Sequence, residues 1–376
     1  MSDLPPDLVE DILSRVPATS LKRLRFTCKQ WNSLFKNRRF TEKHFCKAPK
    51  QSHVLLWKDY TVCPMSINLN FSGSSIEFKS VLSLKDSHYN SEQVYIAKVF
   101  HCDGLLLCTT KDHRLLVWNP CLGETRWINF ENDYKPYSRF SLGYKNNKSC
   151  RSYKILRFWT SYLTPNHIGL RYNIYEFTTD SWRVLIDKVS LNYFLIESEN
   201  GVSFKGNTYW LALDEETNFL LGFDFTMERF KRLCLPSNKN CDTMVLSVVR
   251  EEKLSVSHQN FCSSKMDIWM TNRIDSETAM SWKRYFSVEF KILSMCHSLP
   301  FCNSFLIDEE KKIVISTVRG NENMVNIIGA YNAYYAEVPV ESTNWPCSPY
   351  FVSYVPSLVQ IQQCKSKENN KTSLEM

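Results

Sequence analysis

Tyr175-Glu176-Phe177-Thr178-Thr179-Asp180-Ser181-Trp182-Arg183-Val184-Leu185 and Phe223-Asp224-Phe225-Thr226-Met227-Glu228-Arg229-Phe230-Lys231-Arg232-Leu233 align without a gap, 48 residues apart. Each is two short apolar runs around a polar turn, the pattern of a β-hairpin. Looser copies lie at Trp118–Phe130 and Ile268–Tyr285, and the marker aromatics Trp127, Trp182, Phe230 and Trp282 follow at intervals of 55, 48 and 52. A period of that size is one propeller blade.

Working outward, further strand-like runs stand at Gly104–Cys108, Leu115–Trp118, Thr208–Ala212 and Lys312–Ser316, separated by Asn, Asp, Gly and Ser. Modules fall near 101–130, 140–190, 200–236, 243–290 and 300–340, and residues 53–84 with 350–361 supply a sixth. The expected architecture over 53–361 is an all-β propeller of about five or six blades, with an open β-sandwich array as the alternative. Composition agrees: aromatics reach 14% while glycine is 10 of 376 residues. That balance suits β structure better than glycine-loop phosphate chemistry.

The first fifty residues read differently. Leu4, Leu8, Val9, Ile12, Leu13 and Val16 recur at three-to-four spacing, with Pro5 and Pro6 at the start, acids in the first turns and Pro17 as a stop. This is an amphipathic helix. A second helical segment, capped near Thr19 or Ser20, sets Leu21, Leu24, Cys28, Trp31 and Leu34 on one face and Lys22, Arg23, Arg25 and Lys29 on the other. Three helices in about 40 residues bury little and call for a partner.

Residues 2–46 resemble an F-box, through Leu4-Pro5, Asp7-Leu8, Ile12-Leu13, Val16-Pro17, Leu21, Cys28-Lys29 and Trp31. The resemblance implies docking on a Skp-family adaptor, and through it on a cullin, with Leu4, Pro5, Leu8, Ile12, Leu13, Val16, Pro17 and Leu21 as contacts. Leu24, Trp31 and Leu34 would form the module's core. The remainder resembles the plant F-box-associated interaction domain, which is similar to kelch-type propellers. The residues that carry this are Cys102–Cys108, Trp118-Asn119-Pro120, Leu142-Gly143-Tyr144, Ser152–Ile155, Gly201 with Lys205–Leu211, Phe223–Phe225, Ile268-Trp269 and Ser281-Trp282. The paired glycines of kelch repeats are absent. The fold class expected is thus α+β multidomain: a three-helix F-box at 1–46, a connector at 47–52, the propeller-like domain at 53–361 and a polar, disordered tail at 362–376.

Charge narrows the function. The net charge is +7, yet residues 1–50 hold 11 Lys and Arg against 5 Asp and Glu, leaving 35 against 34 elsewhere. Whole-chain attraction to nucleic acid or membrane is not expected. A nucleic-acid reader using Lys22, Arg23, Arg25 and Lys29 is the remote alternative. No signal peptide or membrane-spanning stretch is read, so an intracellular protein of nucleus or cytoplasm is expected. Fourteen cysteines without a C-x-x-C read as buried thiols.

Chemistry-bearing motifs are weak. Gly201-x-x-x-x-Gly206-Asn207-Thr208 has Asn where a P-loop needs Lys and leads into a strand, so no phosphate cradle is expected. His101-Cys102 and Cys296-His297 lack a second pair of suitable spacing, and no metal or cofactor is expected. Trp118, Trp127, Trp182, Trp210 and Trp282 follow the strand register and read as blade packing. Recognition is sought instead in loops at 134–139, 158–167 and 344–350, although no target-binding residue can be assigned. The function expected is a non-catalytic substrate receptor of an SCF-type ubiquitin ligase, binding an unknown target protein. The alternative is a propeller hydrolase or lyase with a helical docking module.

Overall fold

The computed structural model describes residues 4–70, 73–85, 93–130, 138–147, 150–164, 167–185, 194–195, 201–213, 217–236, 243–260, 265–272, 280–289, 301–319, 324–329, 335–340 and 348–361. The tail at 362–376 lies outside them.

Four helices open the chain where three are expected: α1 (Pro6–Leu13), α2 (Ala18–Leu24), α3 (Lys29–Lys36) and α4 (Arg38–Lys47). The second predicted helix divides because Cys28 takes an extended conformation with φ −145°. Asn37 then ends α3 and caps α4, its side chain accepting from Arg39 N at 2.9 Å. Pro17, and not Thr19 or Ser20, precedes the first residue of α2. Its ring-fixed φ of −54° turns the chain there without a side-chain cap.

The strands form six antiparallel sheets arranged as a ring. Blade I contains β1 (His53–Lys58), β2 (Thr61–Asn70) and β3 (Gly73–Phe78). Blade II is β4 (Ile96–Cys102), β5 (Leu105–Thr110), β6 (Leu115–Asn119) and β7 (Glu124–Ile128). Blade III is β8 (Arg139–Asn147), β9 (Cys150–Thr164), β10 (His167–Glu176) and β11 (Ser181–Val184). Blade IV has β12 (Phe194–Leu195) and β13 (Val202–Phe204) both paired to β14 (Asn207–Leu213), then β15 (Asn218–Asp224) and β16 (Arg229–Leu233). Blade V is β17 (Thr243–Val249), β18 (Lys253–Asn260), β19 (Lys265–Thr271) and β20 (Trp282–Glu289). Blade VI is β21 (Phe301–Asp308), β22 (Ile313–Arg319), β23 (Met324–Gly329) and β24 (Tyr335–Pro339). The last strand, β25 (Tyr350–Tyr354), returns to pair with β1 through Leu55↔Val352 and its neighbours, so residues from both ends of the domain complete blade I.

The 48-residue repeat is the third-to-fourth-strand hairpin of blades III and IV, and Trp127, Trp182, Phe230 and Trp282 all sit on fourth strands. Two of them reach backward along the ring. Trp182 Nε1 donates to Asn129 O and Trp282 Nε1 to Cys234 O, each at 2.9 Å. Apolar layers fill the spaces between blades, with Leu106, Leu116, Leu220, Val256, Met266, Ile268 and Val314 fully buried. Ion pairs add to them: Arg126 meets Asp180 at 2.8 Å, Lys253 meets Glu309 at 2.6 Å, and Lys154 and Arg183 meet Glu228.

Gly206, at φ +83° in the β13–β14 turn, is needed for two reasons. A side chain there would be strained, and its Cβ would stand 2.7 Å from the Tyr144 ring of blade III. Gly123 has φ +72° but open space around it. Ala at either site carries the left-handed penalty of roughly 1–2 kcal/mol. Gly206→Ala is therefore expected to lower the denaturation midpoint clearly more than Gly123→Ala, measured side by side in urea; equal losses would mean that Tyr144 yields without cost.

Candidate functional site

The helical module has two unlike faces. Leu4, just before α1, and Leu8 and Ile12, one turn apart on it, remain 41%, 52% and 47% exposed, and Pro5 beside them is exposed. These are large apolar side chains that this chain leaves open. Leu13 and Leu21, expected as adaptor contacts, lie instead in the module's core with Ala18, Phe35 and Phe40. Val16 and Pro17 are half-buried. Leu24, Trp31 and Leu34 pack against that core. The helical period places Leu13 on the inward side because it follows Leu8 and Ile12 by five and one residues, not by three or four.

Polar contacts hold α1 against α4. Glu10 pairs with Lys43 at 2.9 Å and Asp11 with Lys47 at 2.7 Å. The hydrogen bonds from Lys47 and Arg15 hold the Asp11 carboxyl at about 2. His44, whose protonation is disfavoured by burial, donates from Nε2 to Val16 O at 2.8 Å.

The inner face of the module is not closed on itself. Cys121 and Leu358, 5% and 2% exposed, enter the same core from the propeller, with Leu122 packed beside them. Lys22 Nζ donates to Pro120 O at 3.2 Å and Arg25 to Leu122 O at 3.3 Å. Half of the basic face proposed for phosphate contacts is thus engaged with main-chain carbonyls of the β6–β7 turn. On the far side of the module, Phe45 lies 3.6 Å from the Arg151 guanidinium, and Lys50 pairs with Glu251 at 2.9 Å.

Phe45 and Lys50 also wall one end of a central cavity of about 910 Å³. Its sides are the innermost strands of the blades, including Phe100, Phe204, Leu246, Phe305 and Phe351. At the helical end sits a half-buried polar cluster around the buried Tyr153. Asp103 accepts from Tyr153 Oη at 3.0 Å and pairs with Arg151 at 3.4 Å. Burial outweighs Arg151 and lifts the Asp103 carboxyl to about 6. Burial also lowers His101 to about 4, and its neutral Nε2 accepts from Gly104 N at 2.9 Å. Asp103 and Glu251, which both line the cavity, are each matched to a cation, Arg151 and Lys50.

The other sequence-marked residues have structural places. Gly206 makes a tight turn and Asn207 Oδ1 accepts from Phe225 N at 3.1 Å, so the P-loop-like string is a hairpin. Cys102 is a buried thiol whose ionisation burial disfavours, whereas Cys296 and His297 lie outside the described residues. Of the recognition loops, 134–137 and 344–347 lie outside them too. Phe158 and Tyr350 are not loop residues but core: Phe158 is buried against Trp210, and Tyr350 Oη accepts from Val99 N at 2.8 Å. Sequence reading passed over Phe45 and Lys50, and it gave 355–361 to the sixth blade, whereas β25 ends at Tyr354 and Leu358 enters the F-box core. The only signal of Phe45 and Lys50 was position, next to motifs already marked.

The chain is thus a helical module with an open apolar ridge, fixed to a six-bladed ring with a central cavity. Comparison agrees: residues 1–43 match the F-box domain and residues 53–361 the F-box associated beta propeller domain. An F-box protein of Arabidopsis thaliana is 56% identical over 326 residues, covering 84% of this chain and 92% of its own. Another Arabidopsis protein, named for an F-box and kelch repeats, is 52% identical over 381 residues, 98% of this chain and 100% of its own. Among solved structures, TolB of Acinetobacter baumannii matches at TM-score 0.42 and 9% identity, covering 80% of this chain and 66% of its own. The chain belongs to the plant F-box proteins with an F-box associated propeller. Members of that family are generally non-catalytic, and F-box domains typically bind Skp-family adaptors.

The polar cluster makes stability depend on pH in two opposed ways. His101 binds its proton in the unfolded chain near 6.5 but in the folded one only near 4, so it withdraws stability as pH falls through that window. Asp103 is protonated more readily when folded, and so adds stability between about 6 and its ordinary 3.8. From pH 7 to 4.5, the fall in melting temperature should therefore flatten in His101→Asn and steepen in Asp103→Asn. The reverse ordering would contradict the burial assigned to both.

Proposed function

We propose that this chain is the substrate-recognition subunit of an SCF-type ubiquitin ligase, docking through α1 on a Skp-family adaptor and thereby on a cullin. The observation that carries the reading is the open ridge Leu4, Leu8 and Ile12 on a module whose opposite side is already buried. Burying such side chains stabilises by roughly 1.5–3 kcal/mol each. With Pro5 and the half-buried Val16 and Pro17 at its edges, the ridge gives a gross gain comparable to the cost of association.

The propeller then presents a target protein, and the chemistry of this chain is proximity. Target lysines held near a ubiquitin-conjugating enzyme react as in an intramolecular process. No residue of this chain serves as acid, base or nucleophile. The protein works where adaptor and cullin are found, in nucleus or cytoplasm.

The burial pattern separates docking residues from folding residues. Leu8→Asp with Ile12→Asp should abolish co-purification with a Skp-family adaptor while leaving the melting temperature within about 2 °C, since surface changes away from packing are worth only a few tenths of a kcal/mol. Leu13→Asp should lose the adaptor too, but by unfolding the module. Because apolar burial is insensitive to ionic strength, high salt should not release the wild-type complex. Retention of the adaptor by the double variant would refute the ridge as its docking site.

A further inference from the structure

One type of tight turn recurs at the helical end of the ring. Asp224 Oδ1 accepts from Thr226 N and Met227 N, both at 2.9 Å, and Glu228 follows at φ +53°. Asp308 Oδ1 accepts from Glu310 N at 3.0 Å and Lys311 N at 3.1 Å, with Lys312 at φ +53°. In blade II the same turn is built on Asn119, whose Oδ1 accepts from Cys121 N at 2.9 Å and Leu122 N at 3.1 Å, with Gly123 at φ +72°. The turn needs only the acceptor oxygen, which Asp supplies as well as Asn.

The amide has a second use. Asn119 Nδ2 donates to Val359 O at 2.8 Å and Ser357 O at 3.2 Å. All four bonds of a fully buried side chain are therefore made. One half of the amide shapes the turn that places Cys121 and Leu122 in the F-box core. The other half binds the C-terminal segment that places Leu358 in the same core, while Gln360 Nε2 donates to Phe35 O at 3.5 Å. Asn119 thus joins both propeller elements that enter the F-box.

We infer that Asn119 is a positioning residue, which locks the F-box to blade II and so fixes the adaptor-binding ridge relative to the far face of the propeller. The lock is a property of the chain alone. Its use in aiming target lysines rests on the receptor reading above. Asp at this position keeps the turn but replaces two donors by a carboxylate facing two carbonyls, so it acts on the joint and spares the blade.

The test uses the full chain. In Asn119→Asp, trypsin cleavage after Lys47 and Lys50, at the connector, should quicken by roughly tenfold, as local opening does when buried bonds are lost. Adaptor affinity should stay within about twofold, the sites being well separated. Asp308→Asn, the opposite exchange in blade VI, should leave cleavage unchanged. Lys22→Ala with Arg25→Ala, which removes the F-box donors to the same turn, should quicken cleavage in the same direction; it keeps the test decisive should Asn119→Asp fail to fold.

With adaptor, cullin and conjugating enzyme added, the set of this chain's own lysines that acquire ubiquitin should widen in Asn119→Asp, as mapped by mass spectrometry. A purely structural defect would lower the yield without changing the set. Wild-type cleavage rates in both variants, or an unchanged set of lysines, would overturn the lock. Failure of the wild-type chain to bind adaptor would instead refute the receptor reading, because the cleavage arm reads the joint without it.

Discussion

The pairing of β25 with β1 is the constraint on which the rest of the molecule depends. The last strand of the domain supplies the innermost strand of the blade that the first residues begin, so the first and last parts of the ring share one sheet. Closure is topologically distant, with Leu55 opposite Val352, so its entropic cost is met only when the intervening blades are in place. It also decides where the chain emerges. β25 runs toward the helical end, so the residues after Tyr354 pass beneath the F-box: Ser357 Oγ donates to Asp103 O at 2.5 Å, and Leu358 enters the F-box core. A ring closed by another strand would leave that core one residue short.

This explains which parts were legible in the sequence. The repeat was readable because a third-to-fourth-strand hairpin is local: its turn, its aromatic and its apolar runs lie within eleven residues. The sixth blade was readable from arithmetic, since residues 53–84 and 350–361 had no other partner. The F-box was readable as a pattern, but not the direction of each side chain. Leu13 and Leu21 carry the family signature just as Leu8 and Ile12 do, and only the packing of α3, α4 and the β6–β7 turn shows that two of them face inward. The break between α2 and α3 was missed for a related reason, because apolar spacing persists across a bend when both helices face one core.

Long-range polar contacts were the least legible. Asn119 belonged to a marked motif, Trp118-Asn119-Pro120, yet its amide partners stand 238 and 240 residues away. Lys22 and Arg25 read as the basic face of a helix, and their acceptors lie 98 and 97 residues on, in a turn whose carbonyls offer no charge for a pattern to match. Sequence spacing reports on faces; it does not report on what a face meets.

The same contacts bear on how the charge of the chain is used. Part of the base in the first fifty residues works inside the molecule: Lys43 and Lys47 tie α4 to α1, Lys50 ties the connector to Glu251, and Lys22 and Arg25 clasp blade II. Individually such exposed pairs are weak. Placed around an apolar core shared by two domains, they do something that apolar contact does not, since apolar burial is non-directional and hydrogen-bonded charges select one orientation. The apolar residues hold the F-box on the propeller, and the polar ones set the angle at which its open ridge faces a partner.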